Sequence, residues 1–503
     1  MNSFIRRAAT AVGFAFGLAA TLSHGTVDQP GTLDPFWATG SPLGAGKVMT
    51  PVGTGADIAS ALALQLDGKL VLSGYCFGTT YDFCAVRYNA NGTLDTSFGS
   101  GGKIITPIGT SFDTATALAL QTDGKIVVAG YCFTGTNIDF CALRYNTDGT
   151  LDPSFGSGGT VITAVGTGDD EATGVAMQPD GKLVLSGYCT GATNFDFCVL
   201  RYNANGTPDA SFGSGGKVIT PIGVNDDRAS ALALQPDGKL VLAGYCSNGT
   251  NNDFCALRYN ANGTLDAGFG TGGKVTTPVG ATGDQALALA LQPDGRIVLA
   301  GYCTNGGNTD FCALRYNANG TLDATFGTAG KVITPLGAGN DTATAVATQS
   351  DGKLVLAGYC SNGSNSDFCA LRYNTNGTLD TSFGSSGKVI TPVATGDDNA
   401  YAVTLQPDGK LVLAGYCFDG TNFDFCAIRY DGGPFGYKNC SLDIDGDNRV
   451  LATTDSLIHA RIALGITGSA VTNGITFPPT ATRNTWPLIR DYLVTQCGMS
   501  LPQ

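Results

Sequence analysis

The chain has 503 residues, of which 43% are hydrophobic and only 14% charged, with 72 glycines, 16 cysteines and a net charge of −13. This composition excludes collagen and ordinary disorder. It also excludes nucleic acid as a partner, because no basic surface exists to displace counterions from phosphates, and anionic membranes are equally poor partners.

At the N-terminus, Arg6 and Arg7 precede the apolar run 8–22, and Ser23, His24 and Gly25 follow it. This is the layout of a secretory signal peptide over residues 1–25. The run is about fifteen residues long, short of the roughly twenty a bilayer-spanning helix needs. No later segment is long and apolar enough, so no membrane insertion is expected.

From there one motif recurs seven times: GKVITPxG, a polar loop ending in Asp, an Ala/Leu run, PDGKLVLAGYC, a loop, DFCALRYN and ANGTLDxSFG. The first cysteines fall at 76, 132, 189, 246, 303, 360 and 417, a period of 56 once and 57 five times, and repetition at a fixed period decides the fold. Each unit contains four short β-type runs, read in the second unit as 103–107, 115–121, 125–132 and 140–146. Asp123-Gly124 marks a tight hairpin, since Asp-Gly supplies the positive φ such turns require. The runs 115–120 and 126–129 are apolar at both parities, so both sheet faces must be covered, which stacking of blade on blade achieves. The expected fold is all-β, a seven-bladed β-propeller of four-stranded antiparallel blades over 31–432, rather than a parallel β-helix without hairpins. The seventh unit ends as RYDGGPFG without its LDxSFG segment, while an unpaired GTLDPFW stands at 31–37. The N-terminal piece is expected to supply what the last blade lacks.

The cysteines form eight candidate pairs: Cys76 with Cys84, Cys132 with Cys141, Cys189 with Cys198, Cys246 with Cys255, Cys303 with Cys312, Cys360 with Cys369, Cys417 with Cys426, and Cys440 with Cys497. With no C-x2-C knuckle and no histidine nearby, disulfides are favoured over zinc. They require an oxidising compartment, so the protein is expected to be secreted or at the cell surface. The first seven pairs end one strand and begin the next, and should face each other across a hairpin. The eighth stands apart from the repeat and is expected to tie together a second, smaller domain.

These units resemble the delta-60 repeat family, a set of secreted bacterial sequences whose motif runs LDxSFG, GKV, PDGK, AGY and RYN. The match covers 31–430. The resemblance implies a β-propeller with no assigned biochemical role and brings no catalytic residues with it.

After Gly432-Gly433-Pro434 the composition changes, and a second module is read over 438–503. Asp443, Asp445 and Asp447 alternate as in the opening of an EF-hand-type loop, with the Arg449 carbonyl as the next oxygen and Asp455 as the closing acid. The expected cofactor is calcium, in a small α-helical domain with helices over 454–464 and 486–496. The segment is similar to a dockerin-type calcium module, with two departures: Asn448 replaces the usual glycine, and Asp455 falls at the thirteenth position. It has one loop where dockerins carry two, so cohesin binding does not follow, and a structural Asx-rich turn stays open as the alternative.

Chemistry in the propeller has few candidates. His459 is the only histidine left after processing, which excludes a His-dependent triad across the blades, and Glu171 is the only glutamate. Asp57, Asp113, Asp170, Asp227, Asp284, Asp341 and Asp398 form one repeated set, read as a loop cap needed once per blade. The arginines of the RY dipeptides and the aspartates of the TLD or TPD segments form another, from Arg87 to Arg429 and Asp34 to Asp380, read as a repeated ion pair or loop anchor. Asn91 and Asn205, in Asn-Gly-Thr, are read as turn residues rather than glycosylation sites. No catalytic residue is assigned.

Function is expected where the copies differ. The loops between paired cysteines carry Phe77 and Tyr81 in blade one, Phe133 and Ile138 in blade two, Phe195 in blade three, and Phe418 and Phe423 in blade seven; blades four to six carry Ser, Thr or Asn. Blade seven neighbours blade one, so these apolar tips form an arc suited to contact with an extracellular protein or polysaccharide. The leading reading is a non-enzymatic binding protein. The alternatives are a glycan hydrolase or lyase using channel aspartates, and a structural envelope or matrix component. The oligomeric state leaves no signal in the sequence.

Overall fold

The computed structural model describes residues 30–432 apart from 110, 192 and 193, and beyond them Ile458, 471–473, 475–477 and 484–495. The first blade shows how each repeat folds. Its innermost strand, Asp57–Leu64, is joined by the Asp67-Gly68 turn to Leu70–Phe77; a hairpin leads to Tyr81–Tyr88, and a longer loop leads to the rim strand Lys103–Thr106. All pairings are antiparallel, and the same four-stranded sheet recurs seven times. The innermost strands of successive blades adjoin one another around a common axis.

The two middle strands bury both faces: Leu70, Val71, Leu72, Phe83, Cys84, Ala85 and Val86 are all buried. The reason is that each apolar cluster spans two blades. Val71, Phe83 and Ala85 of blade one, for example, pack against Ala115, Ile126 and Val128 of blade two. A second inter-blade tie is polar. The Tyr88 hydroxyl bonds Thr50 Oγ1 of the preceding blade at 2.7 Å, and each later RY tyrosine repeats the contact, ending with Tyr430 and Thr391 at 2.5 Å.

The blades are out of phase with the sequence repeat. The GKVIT run that opens each unit pairs with the DFC strand of the unit before it, as Lys103–Thr106 does with Tyr81–Tyr88. The seventh blade therefore lacks a rim strand, and Lys47–Thr50 fills the place, pairing with Phe423–Tyr430. Ahead of it, Leu33 bridges to Tyr430 and the Asp34 amide donates to Arg429 O at 2.8 Å. The expected splice of the two ends is thus present.

Seven disulfides span the middle hairpins, one per blade, and they join the cysteines as the spacing led one to expect. Cys76 is bonded to Cys84, Cys132 to Cys141, Cys189 to Cys198 and Cys246 to Cys255. Cys303 is bonded to Cys312, Cys360 to Cys369 and Cys417 to Cys426. Their Cα atoms lie 5.8–6.0 Å apart, within the span a disulfide bridges. The eighth expected pair is not among them, because Cys440 and Cys497 both lie outside the described residues.

Each innermost strand carries a bulge, such as Ser60 between Ala59 and Ala61. It pushes the backbone towards Gly74, where a Cβ would overlap the Ile58 carbonyl oxygen, and glycine is required there. Beyond the propeller, a helix runs Trp486–Thr495, close to the expected 486–496. Residues 1–25, the expected helix 454–464 and the loop of Asp443, Asp445, Asp447, Arg449 and Asp455 lie outside the described residues or almost wholly so. Among the described residues no helix is long and apolar enough to cross a membrane.

Candidate ligand-binding face

The repeated aspartates have structural work at one end of the blades. Asp57 is fully buried, and its Oδ2 accepts the backbone N–H groups of Val52 and Gly53 at 2.6 and 2.8 Å. The other six do the same, from Asp113 with Ile108 and Gly109 to Asp398 with Val393 and Ala394. Each also opens its strand opposite the first cysteine, as Asp57 faces Cys76, rather than preceding the strand. Burial pushes these carboxyls up, against the hydrogen bonds they accept.

At the opposite end, Arg87 Nε donates to Asp95 at 2.7 Å and its NH1 to Thr147 O of the next blade at 2.6 Å, while its guanidinium lies 4.4 Å from the Phe98 ring. The pair recurs through Arg372 and Asp380 at 2.8 Å. The seventh is Arg429 with Asp34, residues from the two ends of the chain, at 2.8 Å. Asn91 Oδ1 accepts the N–H and hydroxyl of Thr93 at 3.1 and 2.8 Å, as a turn residue does.

The residues that differ between copies gather at the capped end. That end holds the cysteine hairpins, the loops between blades and the starts of the innermost strands, because Asp57 lies opposite Cys76 and Phe77 opposite Tyr81. Phe77 and Tyr81 are 37% and 36% exposed, with ring centroids 5.2 Å apart. Phe133 stacks on Phe112 at 5.4 Å, adding an exposed ring that the sequence reading did not include. Phe195 meets Tyr188 at 5.3 Å, and Phe418 meets Phe423 at 5.4 Å. Ile138 departs from the expected arc, being withdrawn to 9% exposure as the first residue of its strand. Phe418 and Phe423 line a cleft of about 460 Å³ with Ser364 and Asn365 at the hairpin tip of blade six and with Thr395, Gly396 and Asp397 of the loop leading from blade six into blade seven.

Inside this arc lies a ring that the sequence reading missed. The tyrosine of each GYC triplet, from Tyr75 to Tyr416, stands directly opposite the second residue of its innermost strand. Those second residues are Ile58, Thr114, Glu171, Arg228, Gln285, Thr342 and Asn399, seven positions with six different side chains. Burial first, and neighbouring tyrosines second, push Tyr75 and Tyr302 up to about 12, so the hydroxyls stay protonated at neutral pH. The ring is uneven. Between blades three and four, Tyr188 donates to the Glu171 carboxylate, and Arg228 lies 4.6 Å from the Tyr188 ring and 4.4 Å from the Phe195 ring. Burial pushes Glu171 up despite the Tyr188 hydrogen bond and the Arg228 charge. Between blades six and seven the network is built on amide and hydroxyl groups with one carboxylate at its edge: Asn399 Nδ2 donates to the Tyr416 hydroxyl at 2.7 Å, Ser366 Oγ donates to Asn399 Oδ1 at 2.6 Å, the Ser366 amide donates to Asp397 Oδ1 at 2.9 Å, and Tyr401 packs 5.7 Å from Tyr416.

Six segments of the chain, 65–98, 121–155, 178–212, 235–269, 292–326 and 349–383, match a family model described as a domain of unknown function (DUF5122) beta-propeller. The matched segments cover less than half of the chain and support a propeller repeat, in agreement with the seven-bladed fold. No curated protein matches it. Among solved structures it is similar to a protein from Lactobacillus plantarum (16% identity, 72% of this chain and 96% of that one, TM-score 0.43). It is similar also to Chaetomium thermophilum Sqt1 bound to the N-terminus of ribosomal protein L10 (12%, 75% and 97%, TM-score 0.41) and to the polysaccharide lyase Uly1 (11%, 76% and 91%, TM-score 0.42).

Proposed function

We propose that this protein is a secreted or surface-exposed binding module that captures a polysaccharide chain on its tyrosine-ringed face and does no chemistry on it. The observation that carries this reading is that the exposed aromatic tips and the seven differing inner residues share one end of the propeller. Aromatic faces cover the apolar faces of sugar rings, while neutral hydroxyls and amides such as those of Tyr416, Asn399 and Gln285 match sugar hydroxyls. Seven disulfides fit an oxidising, extracellular setting. The capping aspartates are fully buried and committed to backbone amides, which speaks against their use as hydrolytic acids. Residues 438–503 would provide a calcium-stabilised attachment or assembly module.

The test is retention of the mature, oxidised protein on envelope polysaccharides in affinity electrophoresis, in calcium and in chelator. Replacing Phe77, Tyr81, Phe133 and Phe418 together with serine is expected to abolish retention while the melting curve is kept. Unchanged retention would overturn the reading. Release of reducing or unsaturated ends would favour a hydrolase or lyase, and capture of an envelope protein alone would favour a protein ligand.

A further inference from the structure

Arg228 shows how this face holds a cation. Its guanidinium lies 4.6 Å from the Tyr188 ring and 4.4 Å from the Phe195 ring, and its NH2 is 3.7 Å from Asp226 Oδ2. Two aromatic rings and one carboxylate thus attend one positive group, so the attraction of the ring faces adds to that of the charge. The loop between blades three and four places the acid. Asp226 directly precedes the capping Asp227, and its Oδ1 accepts the Phe195 amide at 3.1 Å.

Asp397 fills the same loop position before blade seven. It is exposed, and its Oδ1 accepts the Ser366 amide at 2.9 Å and the Ser366 hydroxyl at 3.2 Å. It lines the cleft of about 460 Å³ together with Phe418 and Phe423, whose ring centroids are 5.4 Å apart. Two rings and a carboxylate are therefore present again, this time with both rings from the following blade. The cation is missing: Asn399 stands where blade four has Arg228, and its side chain is spent on Tyr416 and Ser366. Among the described residues no lysine or arginine lines the cleft. Lys47 reaches the same loop, but its Nζ donates to Pro392 O at 2.7 Å and its charge is answered by the buried Asp398. Asp419, next to Phe418, adds a second exposed carboxylate to this tip.

We infer that this cleft takes the ammonium-bearing ring of an amino sugar, an inference that rests on polysaccharide capture by this face. The ammonium donates to Asp397 and supplies the charge that Arg228 supplies at its own acid, while the sugar ring lies against the phenyl rings. The Ser364 and Thr395 hydroxyls, on the same lining, match those of the sugar. The volume is in the range of small-ligand sites. An N-acetylated sugar keeps the ring and loses the charge, and an acidic sugar meets Asp397 and Asp419 with like charge.

The experiment is calorimetric titration of the mature, oxidised protein with a glucosamine tetramer and with its N-acetylated counterpart, at mildly acidic pH where the free amines are protonated. The free-amine tetramer is expected to bind about tenfold more tightly or better, the difference one charge-assisted hydrogen bond makes. Asp397→Asn should fold, because Asn340 fills this position before blade six and its Oδ1 accepts the Thr309 amide at 3.1 Å. This variant is expected to erase the preference. Equal binding of the two tetramers, or a preference that survives Asp397→Asn, would overturn the inference and leave polysaccharide capture standing. Binding of neither tetramer would overturn it as well, and retention on envelope polysaccharides then decides the broader reading separately. A tetralysine peptide that binds more tightly than the amino sugar, and is lost in Asp397→Asn, would replace the sugar with a protein ligand.

Discussion

Asp34→Ala removes the acceptor that joins the two ends of the chain. Asp34 is fully buried, and it takes Arg429 Nε at 2.8 Å and NH2 at 2.6 Å, Lys410 Nζ at 3.1 Å and the Phe36 amide at 2.9 Å. Taking away one partner of a buried ion pair leaves the other charge uncompensated, at a cost of about 3–5 kcal/mol. Arg429 keeps Ala90 O at 2.9 Å and Gln406 Oε1 at 3.1 Å, so the lower figure, about 3 kcal/mol, is expected. Asp209→Ala is the internal control, since Arg201 and Lys182 meet Asp209 at 2.7 and 3.0 Å within one covalent stretch. Both variants should lose similar local stability, but only Asp34→Ala frees the N-terminal strap. Trp37 reports on it directly: it is fully buried, with Arg429 5.4 Å from its ring. In urea, Trp37 fluorescence of Asp34→Ala should shift before the far-ultraviolet circular dichroism falls, whereas the two signals should coincide in Asp209→Ala. Coincident transitions in Asp34→Ala, with a loss below about 1 kcal/mol, would refute the ring-closing role assigned to this pair.

Two further outcomes follow from packing and charge. Gly74→Ala drives a methyl into the Ile58 carbonyl and is expected to cost about 3 kcal/mol or more. Gly101→Ala, where a Cβ meets nothing within 4 Å but φ is +64°, should cost about 1 kcal/mol, and equal urea midpoints would contradict the bulge argument. Stability in chelator should peak at mildly acidic pH. Burial pushes Asp95 up, but hydrogen bonds from Ser97, Lys69 and Arg87 outweigh it and hold the carboxyl well below its ordinary 3.8. Its stabilisation is therefore complete above 3.8 and is lost as pH falls below that value. Asp424 acts in the opposite sense. Burial, and then the charges of Asp419 and Asp57, raise it to about 6 against the attraction of Lys103, so its contribution is complete below 3.8 and lost as pH rises through about 6. Asp419→Asn should shrink the loss of melting temperature between pH 5 and 7, and an unchanged loss would dismiss this assignment.

The architecture was legible because the period was fixed and the middle strands were apolar at both parities, which only blade-on-blade stacking satisfies. The Arg–Asp pairing was legible for a similar reason: Arg429 had no downstream partner in its own unit, and Asp34 was the aspartate left over. The phase of the blades was not legible. Lys103–Thr106 has the same alternation whichever neighbour it pairs with, and the loop lengths on its two sides do not decide the matter. The tyrosine ring escaped because Tyr75 and its counterparts recur without change and read as core. The informative residues were their partners, and Glu171, Arg228 and Asn399 could have been found by asking which position of the innermost strand varies most. Ile138 misled because apolar character at a loop tip does not distinguish a ring reaching into solvent from a side chain folding back onto the blade.

The two ends of the propeller carry different constraints, and the difference points to the working face. At one end Arg, Asp and Lys repeat in nearly every blade, with Arg reaching a carbonyl of the next blade, so a change in one copy disturbs a seam between two. At the other end the seams are held by backbone-capping aspartates and by hairpin asparagines such as Asn137, Asn365 and Asn422 that bond carbonyls of the next blade. The side chains between those ties differ from blade to blade, and where they do cross a seam, as Arg228 and Asn399 do, they cross it with a different chemistry each time. Sequence freedom alone would produce scattered polar substitutions, as on an ordinary solvated surface. Instead the differences include a unique Glu–Tyr–Arg network and paired aromatic rings at the tips of four successive blades, from blade seven to blade three. A selected ligand accounts for that asymmetry better than solubility does, because solubility would not place exposed phenyl rings beside one another.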